Sequence, residues 1–186
     1  DVDMYADDWV EQAAKATNAV EGNTYVKLDR GILTVDQLNY FLNSMPVELT
    51  YADSNNQFLY YNRMYEAEDM LASRTPSQVG NPLAECHPES AHSGVAWVIQ
   101  QLRTGKQDLI TVNVPTHGPD KFVVHSYQAM RDEEGNFVGV NEYVQDIKPI
   151  IDWYLEQTGQ ELTGGKDASS GATENVDAGS SATVQD

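Results

Sequence analysis

The spacing of apolar positions changes several times along this chain, and each change marks an element. Tyr5, Trp9, Ala13, Ala16 and Val20 recur at three- and four-residue steps, which predicts a helix over 4–20 with one apolar face. Glu21-Gly22-Asn23 supplies its stop, since glycine accepts the left-handed conformation that ends helices. Residues 24–33 read as a connector. Thr34 then opens a second helix, with Gln37 three places on completing a capping box. Leu38, Phe41, Leu42 and Met45 form its expected buried stripe, and Pro46 closes it.

From Val47 the period falls to two. Val47, Leu49 and Tyr51 alternate with Glu48, Thr50 and Ala52, which is the period of a half-buried strand. Asp53-Ser54-Asn55-Asn56 is a turn, and 58–61 returns as a second strand. A short helix is expected over 63–71, followed by turns across 75–88. The period of 3.6 comes back at 89–103, where Ala91, Val95, Val98, Ile99 and Leu102 make one stripe. Three strands follow, at 108–114, 121–130 and 137–147, joined by turns at 116–120 and 133–136. Pro149 suits the first turn of a last helix over 150–157.

The stretch 31–53 reads G-I-L-T-V-D-Q-L-N-Y-F-L-N-S-M-P-V-E-L-T-Y-A-D, and 131–147 reads R-D-E-E-G-N-F-V-G-V-N-E-Y-V-Q-D-I. Between them stand R-T-P-S-Q-V-G-N-P at 74–82 and C-H-P-E-S at 86–90. In this order the motifs resemble a PAS domain, of the type found in bacterial proteins behind hemerythrin-like or uncharacterised helical domains. The resemblance implies an α+β fold: a five-stranded antiparallel sheet with a helical cap around a small cavity. The expected organisation is an N-terminal helix and connector at 1–30, the PAS domain at 31–148, a C-terminal helix at 149–158 and a disordered acidic tail at 159–186. That tail is rich in Gly, Ser, Ala, Thr and acid, and holds too little apolar surface to offset its conformational entropy.

Charge narrows the partners. The chain carries 11 basic and 29 acidic residues, a net −18, with Lys and Arg scattered singly. Nucleic acids and anionic membranes need a basic footprint, so neither is an expected partner. No apolar run approaches the roughly 18 residues of a membrane span. The single cysteine excludes an intrachain disulfide and a Cys-rich zinc site, which fits a reducing cytoplasm. The chain begins at Asp1 rather than Met, so an upstream portion is expected.

Catalytic signatures are missing: there is no G-x-S-x-G elbow, Walker loop, H-E-x-x-H or dinucleotide fingerprint, and no enzyme is expected. Candidate ligand-binding residues are few. Cys86 and His87 pair a soft ligand with an imidazole, or else belong to a PAS-like turn in which Pro88 starts the long helix and Glu89 caps it. His92 falls on the stripe of Val95, Ile99 and Leu102. Haem-binding PAS sensors take their proximal His from this helix, so the resemblance makes His92 the haem candidate; otherwise it is a core-edge histidine donating to a carbonyl. His125 and Tyr127 share one strand face, lining the pocket or facing solvent. His117 reads as a surface residue. Asp146 resembles the acid that ties the last PAS strand to the helix after it. The expected role is a cytoplasmic sensory domain that binds a small ligand and passes a conformational change through its flanking helices. Alternatives are a structural dimerisation module without a regulatory ligand, or a haem-based redox or gas sensor. A homodimer through Trp9 and its neighbours is expected.

Overall fold

The computed structural model describes residues 2–165, so most of the expected acidic tail lies outside the described residues. The first helix, α1, spans Trp9–Thr17 and is shorter than its apolar pattern. Asn18 ends it at φ 52°, its amide donating to the Ala14 and Lys15 carbonyls, so asparagine rather than Gly22 supplies the left-handed cap. The presumed connector is a β-hairpin, β1 (Tyr25–Leu28) and β2 (Gly31–Thr34), paired from Tyr25↔Thr34 to Leu28↔Gly31. A lone hairpin is marginal in water. This one runs directly into α2 (Val35–Asn43) through the predicted capping box: Gln37 N donates to Thr34 Oγ1 at 3.1 Å and Thr34 N to Gln37 Oε1 at 3.0 Å. The predicted stripe of α2 is covered only in part. Phe41 is exposed, and no residue of the helix is buried.

Five strands form the main sheet: β3 (Glu48–Asp53), β4 (Phe58–Tyr61), β5 (Leu109–Val114), β6 (Val123–Arg131) and β7 (Phe137–Asp146). Their order is β4-β3-β7-β6-β5, antiparallel throughout. The fold is therefore α+β, as expected. Opposite the sheet lies α3 (His92–Thr104), which buries Val95, Val98, Ile99 and Leu102 against Ile110, Val114, Val123, Val140 and Val144. Burying an aliphatic side chain of this size stabilises by about 1.5–3 kcal/mol, so this face is the main source of stability. Pro88 stands before a single 3-10 turn, Glu89–Ala91, and Glu89 makes no capping bond; α3 ends at Gly105, φ 72°.

One strand faces the opposite way from its apolar pattern. In β3 it is Glu48, Thr50 and Ala52 that are buried, while Leu49 and Tyr51 are only half-buried. A one-residue change of phase moves every side chain to the other face. Here the polar inward set is tolerated because Glu48 finds two backbone donors in the chain that crosses over it, described below.

That crossing chain is the irregular segment 62–91. The expected helix over 63–71 is reduced to one 3-10 turn, Ala67–Asp69, and further turns follow at Pro76–Gln78 and Leu83–Cys86. Asn62 begins it, fully buried, accepting from Leu49 N at 2.7 Å and donating to the Leu42 and Val47 carbonyls at 2.9 Å each. At the far end of the sheet Asp146 Oδ1 accepts from Phe122 N at 2.9 Å and Lys148 N at 3.0 Å. The acid thus joins the end of β7 to the entry of β6 and to α4 (Lys148–Thr158), which leaves Ile150, Trp153 and Tyr154 exposed.

Candidate functional site

The inner face of the sheet, α3 and segment 62–91 line a partly open cavity of about 20 Å³, room for one water and far below the ~150 Å³ that admits benzene. Its apolar wall comes from Ala52, Leu83, Val95, Val98, Ile99 and Val140. Its polar wall is Thr50, His87, Tyr127 and Glu142, from β3, the irregular segment, β6 and β7. Alternation along the strands puts them there. Tyr127 is in phase with Val123 and Ala129, and Glu142 with Val140 and Val144.

Beside the cavity, ionisable side chains are buried together. Glu142 Oε2 accepts from Arg74 Nη2 at 3.1 Å and its Oε1 meets His125 Nδ1 at 3.2 Å. Arg74 is 2% exposed, His125 0% and Glu142 6%. Burial alone would push the Glu142 carboxyl up, but Arg74 and then His125 outweigh it and hold the pKa at about 2. An ionised Glu142 can only accept, so His125 Nδ1 carries the proton. His125 Nε2 and Arg74 Nε are buried with no hydrogen-bond partner among the described residues. Glu48, 3% exposed, accepts from Leu71 N at 3.0 Å and Ala72 N at 3.3 Å. Burial raises its pKa in spite of those bonds. Two carboxylates on the sheet thus hold residues 71–74 of the covering segment in place.

His87 Nδ1 lies 2.7 Å from the Leu83 carbonyl, which can only accept, so Nδ1 carries the proton and Nε2 keeps a lone pair. Burial pushes its pKa down and keeps the ring neutral. The expected site residues therefore divide. His87 and Tyr127 line the cavity, and His125 is buried in the adjoining ion cluster. Cys86 does not line the cavity: its thiol turns the other way, into a second apolar cluster with Phe58 and Val79, packed by Trp9 and Tyr61. Burial raises that thiol to about 11. His92 is also outside the wall. It is the first residue of α3, half-buried, and its Nε2 donates to the His87 carbonyl at 3.1 Å, which is the core-edge role. The residues present do not fit a haem, because the space between them is of single-water size and the helix imidazole is engaged by the His87 carbonyl. His117 is half-buried rather than a surface residue, with Nε2 buried and unpartnered among the described residues. Among the described residues no three His, Cys, Asp or Glu side chains gather as a metal ligand set. No helix among them is long and apolar enough to cross a membrane.

Trp9 occupies a specific seat. Its indole lies on the Cα of Gly80, where any Cβ would collide with the ring, and Gly80 has φ +101°. Glycine is required there twice over, for space and for backbone conformation. The Gly80 amide donates to the Phe58 carbonyl at 2.7 Å, and Gln57 Nε2 donates to the Gly80 carbonyl at 2.7 Å. The Trp9 ring thus packs against its own chain and stays half-buried there.

No curated protein matches the chain. Among solved structures it is similar to a C-terminal domain from Streptococcus mutans, 39% identical, covering 72% of this chain and 99% of that one with a TM-score of 0.67. It is also similar to the PAS domain of BvgS from Bordetella pertussis, 14% identical, covering 68% and 97% with a TM-score of 0.46. A sensory box sensor histidine kinase from Vibrio cholerae is 14% identical, covering 59% and 87% with a TM-score of 0.44. The profile of a family described as PAS domain matches residues 38–148, well over half of the sequence. The chain belongs to the PAS domain family.

Proposed function

We propose that this chain is a cytoplasmic sensory domain whose cavity takes up a small ligand and whose flanking helix α1 carries the response. The observation that carries the reading is the two-sided placement of residues 79–87. Leu83 and His87 of this stretch face the cavity, while Val79, Gly80 and Cys86 face Trp9 of α1. The cavity is too small for most ligands, so occupancy requires the stretch to yield, and its other side is the seat of α1. A ligand that prefers the enlarged cavity would shift the balance between seated and released α1 by its difference in affinity for the two. The test is an NMR titration with a library of small fragments. Binders should shift the amides of Leu83, Val98 and Ile99 first, and a library in which no compound does so would contradict the reading.

A structural dimerisation role without a ligand is favoured by one observation, the exposure of Ile150, Trp153 and Tyr154 on α4. Such a patch on a small domain commonly marks an interface. Sedimentation of Trp153→Glu against the unaltered chain separates the two readings: a homodimer through α4 loses mass in the variant, whereas a domain that signals alone does not.

A further inference from the structure

We infer that the cavity is selective for an uncharged, largely apolar molecule that carries an N–H or O–H donor, such as an alcohol, a phenol or a primary amide. This rests on the reading of the cavity as the ligand site. The polar wall is richer in acceptors than in donors. His87 Nε2 is an acceptor because Nδ1 is committed to the Leu83 carbonyl. Glu142 is an ionised carboxylate, acceptor only, with about four lone-pair sites of which Arg74 and His125 take two. Thr50 and Tyr127 also line the cavity, and a hydroxyl carries one donor against two acceptor lone pairs, so neither reverses the excess of acceptors.

Charge points the same way. An anionic ligand would be brought against the Glu142 carboxylate with no cation in the wall, since Arg74 does not line the cavity and is already turned to Glu142. A cation gains little, because the Glu142 charge is matched by Arg74 within 3.1 Å. A hydrocarbon would fill the apolar side but offer no donor to His87 Nε2 or to the lone pairs of Glu142 that Arg74 and His125 do not take, and displacing water from such acceptors without replacing its hydrogen bonds costs binding free energy. The donor-bearing neutral molecule satisfies both halves of the wall.

Phenol, toluene and benzoate separate these cases, being near in size and differing in donor and charge. Each is titrated into the full chain and followed by two-dimensional NMR at the amides of Leu83, Val98 and Ile99. Phenol is expected to bind roughly tenfold more tightly than toluene, with benzoate weaker still. Thr50→Val, which keeps the shape and removes the hydroxyl, is expected to weaken phenol several-fold and leave toluene unchanged. Toluene or benzoate binding as tightly as phenol overturns the donor selectivity while leaving the cavity as a ligand site. If none of the three shifts these amides, the ligand-site reading fails and the selectivity with it.

Discussion

Arg74 and Glu142 stand 68 residues apart in sequence and form an ion pair at 3.1 Å with both side chains almost wholly removed from water. The pair joins the irregular covering segment to the sheet through groups that are costly to separate once buried. Removing one partner leaves the other charge unpaired in the interior. Arg74→Ala should therefore lower unfolding free energy by about 3–5 kcal/mol in urea titrations, and Glu142→Gln by a comparable amount. The double variant Arg74→Met/Glu142→Leu should lose clearly less than the sum. Additive losses would mean that the pair does not act as a unit.

Acid should weaken the fold in two windows. Glu142 titrates at about 2 in the folded chain against an ordinary 4.5, so its contribution is fully present above 4.5 and is lost as pH falls from there towards 2. His87 is held below its ordinary 6.5. The unfolded chain therefore takes up that proton first, and stability declines as pH falls through 6.5. Glu48 runs the other way: its pKa is raised, so it opposes folding above its ordinary 4.5 and returns part of the loss on acidification. Urea midpoints measured from pH 8 to pH 3 should fall below pH 6.5 and again below 4.5. His87→Leu should remove the first fall and Glu142→Gln the second. A flat profile between pH 7 and 5 would contradict the first, and one that stays flat from 4.5 to 3 would contradict the second.

Seating of α1 can be read through the one cysteine. At about 11 and buried, the Cys86 thiol should react with a maleimide at pH 8 roughly 100-fold more slowly than an unfolded thiol near 9. Trp9 covers its cluster, and Gly80 is the seat of the ring. Trp9→Ala and Gly80→Ala should both speed labelling, by similar factors, while leaving the sheet folded. Acceleration by one and not the other would show that Trp9 and Gly80 do not form a single contact.

The strands of the sheet, the stripe of α3 and the capping box of Thr34 and Gln37 were legible because each has a local period or spacing, whereas the tie made by Asp146 came from the resemblance to PAS domains. The buried ion cluster was only half legible. Glu142 stands in phase with Val140 and Val144, and His125 with Val123 and Tyr127, which already places both indoors. Arg74 and Glu48 gave no such signal. Arg74 sits in a stretch without period, and Glu48 lies on a strand whose apolar residues point the other way, so only the tertiary path of 62–91 reveals that each has a buried partner. The β1–β2 hairpin was missed for a related reason: Tyr25, Leu28 and Ile32 are exposed, so its pattern carries no inward face. His92 shared the spacing of the buried stripe but stands at the first position of α3, where the helix has just cleared the wall.

The claim that cavity and α1 are two sides of one moving stretch is tested most directly by amide hydrogen exchange with and without saturating phenol. Occupancy should change protection at Leu83–His87 and, in the same titration and with the same midpoint, across Trp9–Thr17. Protection that changes at Leu83–His87 while Trp9–Thr17 stays constant would contradict it.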